Sequence, residues 1–334
     1  MTRARDEVAA SAGAGRSVVG WLLAALALAV AAGLAVGPSG FGLPGDAEAA
    51  RLILVEIRLP RVVLAVLVGA ALGLSGAVLQ GYLRNPLAEP ALLGISGGAA
   101  LGAVIAIHSG ASALLALALP LGGLVGAALA AGAVLALAGR DAGPLTLILC
   151  GVAVASLAGA LTALALNLAP NPFASVEIML WLMGSLDDRS LAHVWLAAPL
   201  ILAGGALLAT TGPALDALTL GEDGARNLGV DLARLRLTVV AGVALAVGAA
   251  TAVAGSIGFV GLVVPHLLRP LVGHAPARLL WPSALAGAAL LTTADAGLRL
   301  LAPFGGLRLG VVTSLIGAPF FLWLVLRTRR ELGP

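Results

Sequence analysis

The sequence predicts an all-α integral membrane protein of about ten transmembrane helices, some of them short or broken. Three observations predict it. Of 334 residues, 60% are hydrophobic and only 10% charged, with a mean hydropathy of +1.08. A soluble domain carries about a quarter charged residues, so this chain could not make a polar surface. Apolar runs recur along it, each near the ~20 residues that cross a bilayer as one helix. Finally, 45 glycines are interleaved with alanine through those runs. Small residues let helices approach closely where lipid supplies no hydrophobic drive between them.

The elements follow in order. Arg3, Arg5 and Arg16 precede the first apolar run, residues 17–36, which places the N-terminus in the cytoplasm. No small-residue processing site of a cleavable signal is visible, and the run is long enough to be a span itself. A Gly/Pro loop (37–45) and a short amphipathic piece (47–57) lie on the far side. Span two, 62–83, returns inward and breaks at Arg84-Asn85-Pro86. Span three runs from about Leu92 to 108–110, and span four to about Gly139, with Arg140-Asp141 marking the inner side. Span five is 145–168. An outer segment, 177–189, carries Trp181, a residue suited to an interface. Span six is 194–210. The longest polar stretch, 216–236, follows on the cytoplasmic side. Span seven, 237–254, leads directly into a glycine- and proline-broken element, counted as span eight. Spans nine and ten are 279–298 and 309–326, and the chain ends inside with Arg327, Arg329 and Arg330.

Both termini are therefore expected in the cytoplasm. On this topology 13 arginines lie inside and six outside, at 51, 58, 61, 189, 299 and 308. The bias has the right sign, and the outer six call for a reason. A faint repeat relates Leu59, Arg61, Leu64, Gly69 and Leu72 to Leu232, Arg234, Leu237, Gly242 and Leu245. It suggests inverted halves, 58–170 and 231–326, within a single domain of residues 1–334, as in many transporters.

All 19 basic residues are arginine. A P-loop needs its lysine, and so does a Schiff-base enzyme, so neither is present. The arginines are scattered over short loops rather than gathered on a basic face, which excludes a nucleic-acid partner. The lone Cys150 permits no internal disulfide and reads as a packed small residue. No cluster has metal-ligand spacing, and no cofactor is expected on this chain.

The most specific stretch runs from Arg58 to Ala99. It reads Arg-Leu-Pro-Arg, then Ser-Gly-Ala-Val-Leu-Gln (75–80), Asn-Pro-Leu-Ala-Glu-Pro (85–90) and Leu-Gly-Ile-Ser-Gly-Gly-Ala (93–99). Residues 255–262, with Pro265, His266 and Arg269, form a second such stretch. Asp295, Arg299, 310–313 and 316–320 form a third. Together these resemble the signatures of the permease subunits of ABC importers for ferric siderophores, haem and vitamin B12. One departure is visible: where that family reads Glu-Leu-Pro-x-Gly before the last span, this chain reads Gly306-Leu307-Arg308-Leu309-Gly310.

The resemblance implies a homodimer around a central pathway in the bacterial inner membrane. Two ATP-binding cassette subunits that use ATP would sit below, and a substrate-binding protein would dock above. Cargo would move inward by alternating access, and no residue here would do covalent chemistry. It also implies that Asn85 and Leu87 close the cytoplasmic gate, against the plain reading of a tight turn. It places a coupling helix within 216–236, where Gly224, Ala225, Leu228 and Gly229 are the residues of interest. Ala225 and Leu228, three apart, share a helical face, and Gly229 ends the helix. Arg58, Arg61 and Arg299 are expected to meet carboxylates on the binding protein, since bidentate arginine suits that pairing. Snorkelling to lipid headgroups is the alternative.

Two other functions fit parts of the sequence. Gly94-Ile95-Ser96-Gly97-Gly98 fits the nucleophile-elbow pattern, which would make Ser96 the nucleophile of an intramembrane protease with His266 as its base. An ion-coupled secondary carrier would need an acidic residue deep in a span. Asp295 is the candidate, although its position four before Arg299 suggests a helix-surface ion pair. His108 and His193 lie near predicted outer ends, where a haem iron could be touched. Substrate identity is not readable from a smooth apolar path.

Overall fold

A helix that is apolar on every face has no side to offer to water and must be buried. Residues 62–79 are such a stretch, within the helix 59–82 that runs through the main core. The computed structural model describes residues 2–37, 40–42, 44–139, 142–302 and 305–332, with side chains from 17 to 326. The expected marker Arg140-Asp141 and the side chains of Arg3, Arg5, Arg16, Arg327, Arg329 and Arg330 lie outside the described residues.

Helix α1 (Thr2–Ala35) leads into a two-stranded antiparallel hairpin, β1 (Val36–Gly37) and β2 (Gly40–Phe41). Next come α2 (Ala47–Leu52), a π-turn (Ile53–Arg58) and α3 (Leu59–Tyr82). These three are continuous, so the amphipathic piece is the first part of the central helix rather than a separate element. Asp46 starts it by accepting from the Ala49 N–H at 2.9 Å. A 3₁₀ turn (Pro90–Leu93) precedes α4 (Ile95–His108), α5 (Ala111–Leu114), α6 (Ala118–Ala138) and α7 (Pro144–Asn167). Helices α8 (Pro172–Leu182), α9 (Leu191–Ala209), α10 (Gly212–Leu218) and α11 (Glu222–Asn227) follow. The chain closes with α12 (Leu232–Ala254), α13 (Val260–Val272), α14 (Pro276–Leu301) and α15 (Leu309–Leu332).

Among the described residues, eight helical stretches are long and apolar enough to cross a membrane. The third and eighth expected spans are shorter helices, α4 and α13. The glycine and proline punctuation at their ends explains this: Gly94 and Gly110 bound α4 at positive φ, and Gly255 and Gly273 flank the second element.

Helix α3 packs on α14, α12, α13 and α9, while α4 packs on α6 and α7. Close approach of α3 to α14 depends on absent side chains. A methyl group at Gly69 or Gly73 would collide with backbone carbonyl oxygens of Gly287 or Ser283. Trp181 is buried against Ala100, Ala103, Val104 and Ile107 of α4, not at an interface. Cys150 is partly buried against the main core, as expected of a small packed residue.

Candidate functional site

At the N-terminal end of α3 the arginines converge. Arg58 is 5% exposed and donates to the carbonyls of Leu34 (2.7 Å), Ala35 (2.8 Å) and Gly42 (2.7 Å). The last carbonyls of a helix have no partner within it, and Arg58 supplies one for the end of α1. Arg299, 4% exposed, does the same from α14, reaching the Gly33 carbonyl at 2.8 Å and that of Val36 at 3.0 Å. Both guanidinium groups are turned inward and spent on the fold. Arg58 and Arg299, two of the three arginines expected to meet a docking partner, thus brace the end of α1 from within this subunit, and both line one surface pocket with Arg61.

Arg61 belongs to the same cluster. Its Nε lies 2.9 Å from both carboxylate oxygens of Asp295, and its Nη2 lies 2.8 Å from Oδ1. Asp295, 1% exposed, also pairs with Arg299 at 3.0 Å. The pair predicted at a helix surface is thus formed but buried, and it is shared with a third residue.

Arg61 Nη1 reaches out to Asp187 at 2.5 Å, and Arg308 meets the same carboxylate at 3.0 Å. Asp187 sits in a strap, residues 183–190, that crosses the end of α12. Ser185 N–H donates to the Ala254 carbonyl (2.8 Å) and Arg189 Nε to that of Val253 (2.6 Å). The strap also receives α15, since the Gly310 N–H donates to the Gly184 carbonyl at 3.3 Å. Burial works against the charged form of Asp187. Arg61, the Ser185 hydroxyl and Arg308 outweigh it and hold the carboxyl below its ordinary range. The charge of Arg308, visible in the sequence only as a departure, has its partner here.

The other end of α3 carries the turn at which a gate is expected. Asn85 Oδ1 accepts from the Leu87 N–H at 2.9 Å and Asn85 N–H donates to the Gln80 carbonyl at 3.2 Å, so the break is a tight, side-chain-closed turn. Gln80 clamps α13 beside it: its Oε1 accepts from Arg269 at 2.7 Å and its amide donates to the Leu262 carbonyl at 3.2 Å. Near this end lies α11. It closes as expected, with Gly229 at φ +84°, its N–H on the Arg226 carbonyl and the Val230 N–H on that of Ala225. Ala225, however, is fully buried and Leu228 is 64% exposed. The shared outward face is corrected to Leu228 alone, with Ala225 holding α11 to the body. Gly224 lies against Leu220.

Between the two ends, a cavity of about 720 Å³ opens at the subunit surface. Its walls come from four distant stretches: Glu89 and Ala91, then Leu182 and Met183, then Ser256 and Phe259, then Gly310 to Pro319 of α15. Phe259 adopts φ +67° at the start of α13, and its side chain fills the space over Gly317 of α15. Burial pushes the Glu89 carboxyl up, and the nearby Phe259 backbone N–H works against that push. Sequence reading missed Glu89, Asp187 and the Gln80–Arg269 clamp. The signal for Gln80 and Arg269 was a polar residue isolated in an apolar run, which must find a partner once buried.

Three of the four stretches around the cavity belong to the three signature stretches. The profile of the FecCD transport family matches residues 21–327. This chain belongs to that family. Its relatives include the cobalamin import system permease BtuC of Halobacterium salinarum, 41% identical over 86% of this chain and 76% of the relative. The hemin transport system permease HmuU of Yersinia pestis is 41% identical over 84% of each chain. A solved chain, described as a metal-chelate type ABC transporter in an inward-facing conformation, superposes with a TM-score of 0.84 at 31% identity. That match covers 93% of this chain and 99% of the other.

FecCD members are permease subunits of ABC transporters and not enzymes, so the serine-protease reading of Ser96 falls. Ser96 lies in the first turn of α4, whereas the His266 ring packs on Phe320 of α15. His193 is engaged in capping α9, its Nδ1 3.1 Å from the Ser190 hydroxyl, and His108 ends α4. No group of three metal-ligating side chains occurs among the described residues.

Proposed function

We propose that this chain is the permease half of an importer that carries a metal chelate, haem or cobalamin through the bacterial inner membrane into the cytoplasm. A separate ATPase pair drives it. The observation that carries this reading is the convergence of all three signature stretches on one cavity. In this reading a second copy, across a two-fold axis, closes the open side of the cavity into a central path. Asn85 and Leu87 gate it at the end of α3, and Leu228 seats in a groove of the ATPase. The substrate-binding protein docks at the opposite end, around Arg61. Of the three arginines expected there, Arg61 is the least buried, and Arg58 and Arg299 support the surface from beneath. No cofactor is held by the chain itself.

Asp295 gives an ion-coupled carrier no support, because two arginines already occupy its carboxylate. The test is uptake into proteoliposomes that hold the permease with its cognate ATPase and binding protein. ATP-dependent uptake of a ferric chelate, haemin or cyanocobalamin is expected. Uptake that continues when the ATPase is inactivated would overturn the reading in favour of an ion-driven carrier.

A further inference from the structure

The turn from Asn85 to Pro90 holds one ionisable residue, Glu89. Its backbone is extended (φ −138°, ψ 160°) ahead of the 3₁₀ turn, which directs the chain along the cavity wall. Among the residues that line the cavity, Glu89 is the only charged one. The rest are apolar or carry only a hydroxyl, as Ser256 and Ser314 do. A charge facing a cavity with low-dielectric walls acts at longer range than the same charge in water.

The carboxylate is also held in position. Phe259 stands beside it on the same cavity wall, and its backbone N–H favours the charged carboxylate. That residue's left-handed conformation is locked by the seat of its side chain over Gly317. A side chain anchored through a second, rigid element does not swing away when cargo arrives, so it discriminates by charge rather than adapting to it.

We propose that Glu89 is a specificity-determining residue of the path. It admits cargo that presents N–H donors or positive charge to this wall, and it turns away cargo that presents carboxylates. This rests on the cavity being the path, as proposed above.

The experiment compares wild type, Glu89→Gln and Glu89→Lys in proteoliposomes with the same ATPase and binding protein. Three probes are used: cyanocobalamin, whose rim carries amides; a neutral ferric trihydroxamate; and haemin, which carries two carboxylates. Delivery by the binding protein is common to all three permeases and cancels when variants are compared on one probe. Glutamine keeps an acceptor but removes the charge. It should raise haemin uptake, and lysine should raise it further, by about tenfold over wild type. Lysine should slow the amide-rimmed probe. The sign of the lysine effect decides, faster for haemin and slower for cyanocobalamin, with the neutral trihydroxamate as the reference whose rate changes least. Thermal unfolding of each variant should match wild type, which separates selection from misfolding. Wild-type uptake with equal rates in both variants would overturn the role of Glu89 alone. No ATP-dependent uptake of any probe would remove the importer reading and this inference with it.

Discussion

Arg61 and Asp295, 234 positions apart, meet along the side of the guanidinium, with Nε 2.9 Å from both carboxylate oxygens and Nη2 2.8 Å from Oδ1. The pair joins α3 to α14 at one end of the bundle, and Arg299 ties the same carboxylate to the end of α1. Removing one member of a buried ion pair costs about 3–5 kcal/mol, because it strands the other charge. Asp295→Ala strands two. It should lower the thermal midpoint in detergent markedly, with Asp295→Glu milder. An unchanged midpoint would show that the cluster contributes nothing to stability.

Arg58→Glu should act on folding rather than on docking. It sets a buried carboxylate against three carbonyl oxygens that now receive N–H groups. An exposed arginine pair contributes only about 0–1 kcal/mol, so a surface role would leave folded yield intact. Size-exclusion chromatography of the purified variant distinguishes the two. A monodisperse, fully folded Arg58→Glu protein with weakened binding-protein affinity would restore the docking role.

How much of this was legible in the sequence follows from the physics of each residue. Helices were legible because apolar length announces a span. The ends of the gate turn and of α11 were legible because Pro86 and Gly229 restrict backbone geometry locally. The roles of Arg58 and Arg299 were not. An arginine at a helix end reads identically whether it points to lipid, to a partner or to the carbonyls of a helix 24 or 266 residues away. Ala225 and Leu228 share a helical face by spacing, yet about a sixth of a turn suffices to bury one and expose the other. Arg308 looked like a simple loss of the family's acidic residue and proline. Its partner Asp187 is 121 residues distant, so no local pattern could show it.

The strap should respond to acid. Asp187, which links Arg61 and Arg308, has a carboxyl held below the ordinary value of about 3.9. A depressed carboxyl contributes stability that is fully present above the ordinary value. That contribution is lost as pH falls through the folded-state value. Spin labels at exposed Leu307 and Arg51 should therefore report one narrow distance at neutral pH and a broader one only well below pH ~4. Asp187→Asn should broaden it at every pH. A distance insensitive to both changes would show that the ion pairs do not hold the end of α15.

Leu228→Asp should uncouple ATP hydrolysis from uptake in a folded protein, since Leu228 is exposed at the end of α11. Anchoring side chains at the centre of an interface are worth about 2 kcal/mol or more. Ala225→Asp should instead reduce folded yield, because Ala225 is fully buried. Normal uptake by the Leu228 variant, measured beside its ATPase rate, would remove this contact from the coupling route.

Cargo passage along the cavity bounded by the three signature stretches is tested most directly by blocking it. Ser314 lines the cavity from α15, and Ser314→Trp fills much of it without touching the ion cluster or α11. Initial rates of ATP-dependent uptake are measured in proteoliposomes with the ATPase and binding protein present, alongside ATPase activity and binding-protein affinity. The predicted result is loss of uptake with assembly and docking retained. Uptake at the wild-type rate through the tryptophan variant would contradict the account, because cargo would then be crossing somewhere other than the cavity where Glu89, Phe259 and Gly310 meet.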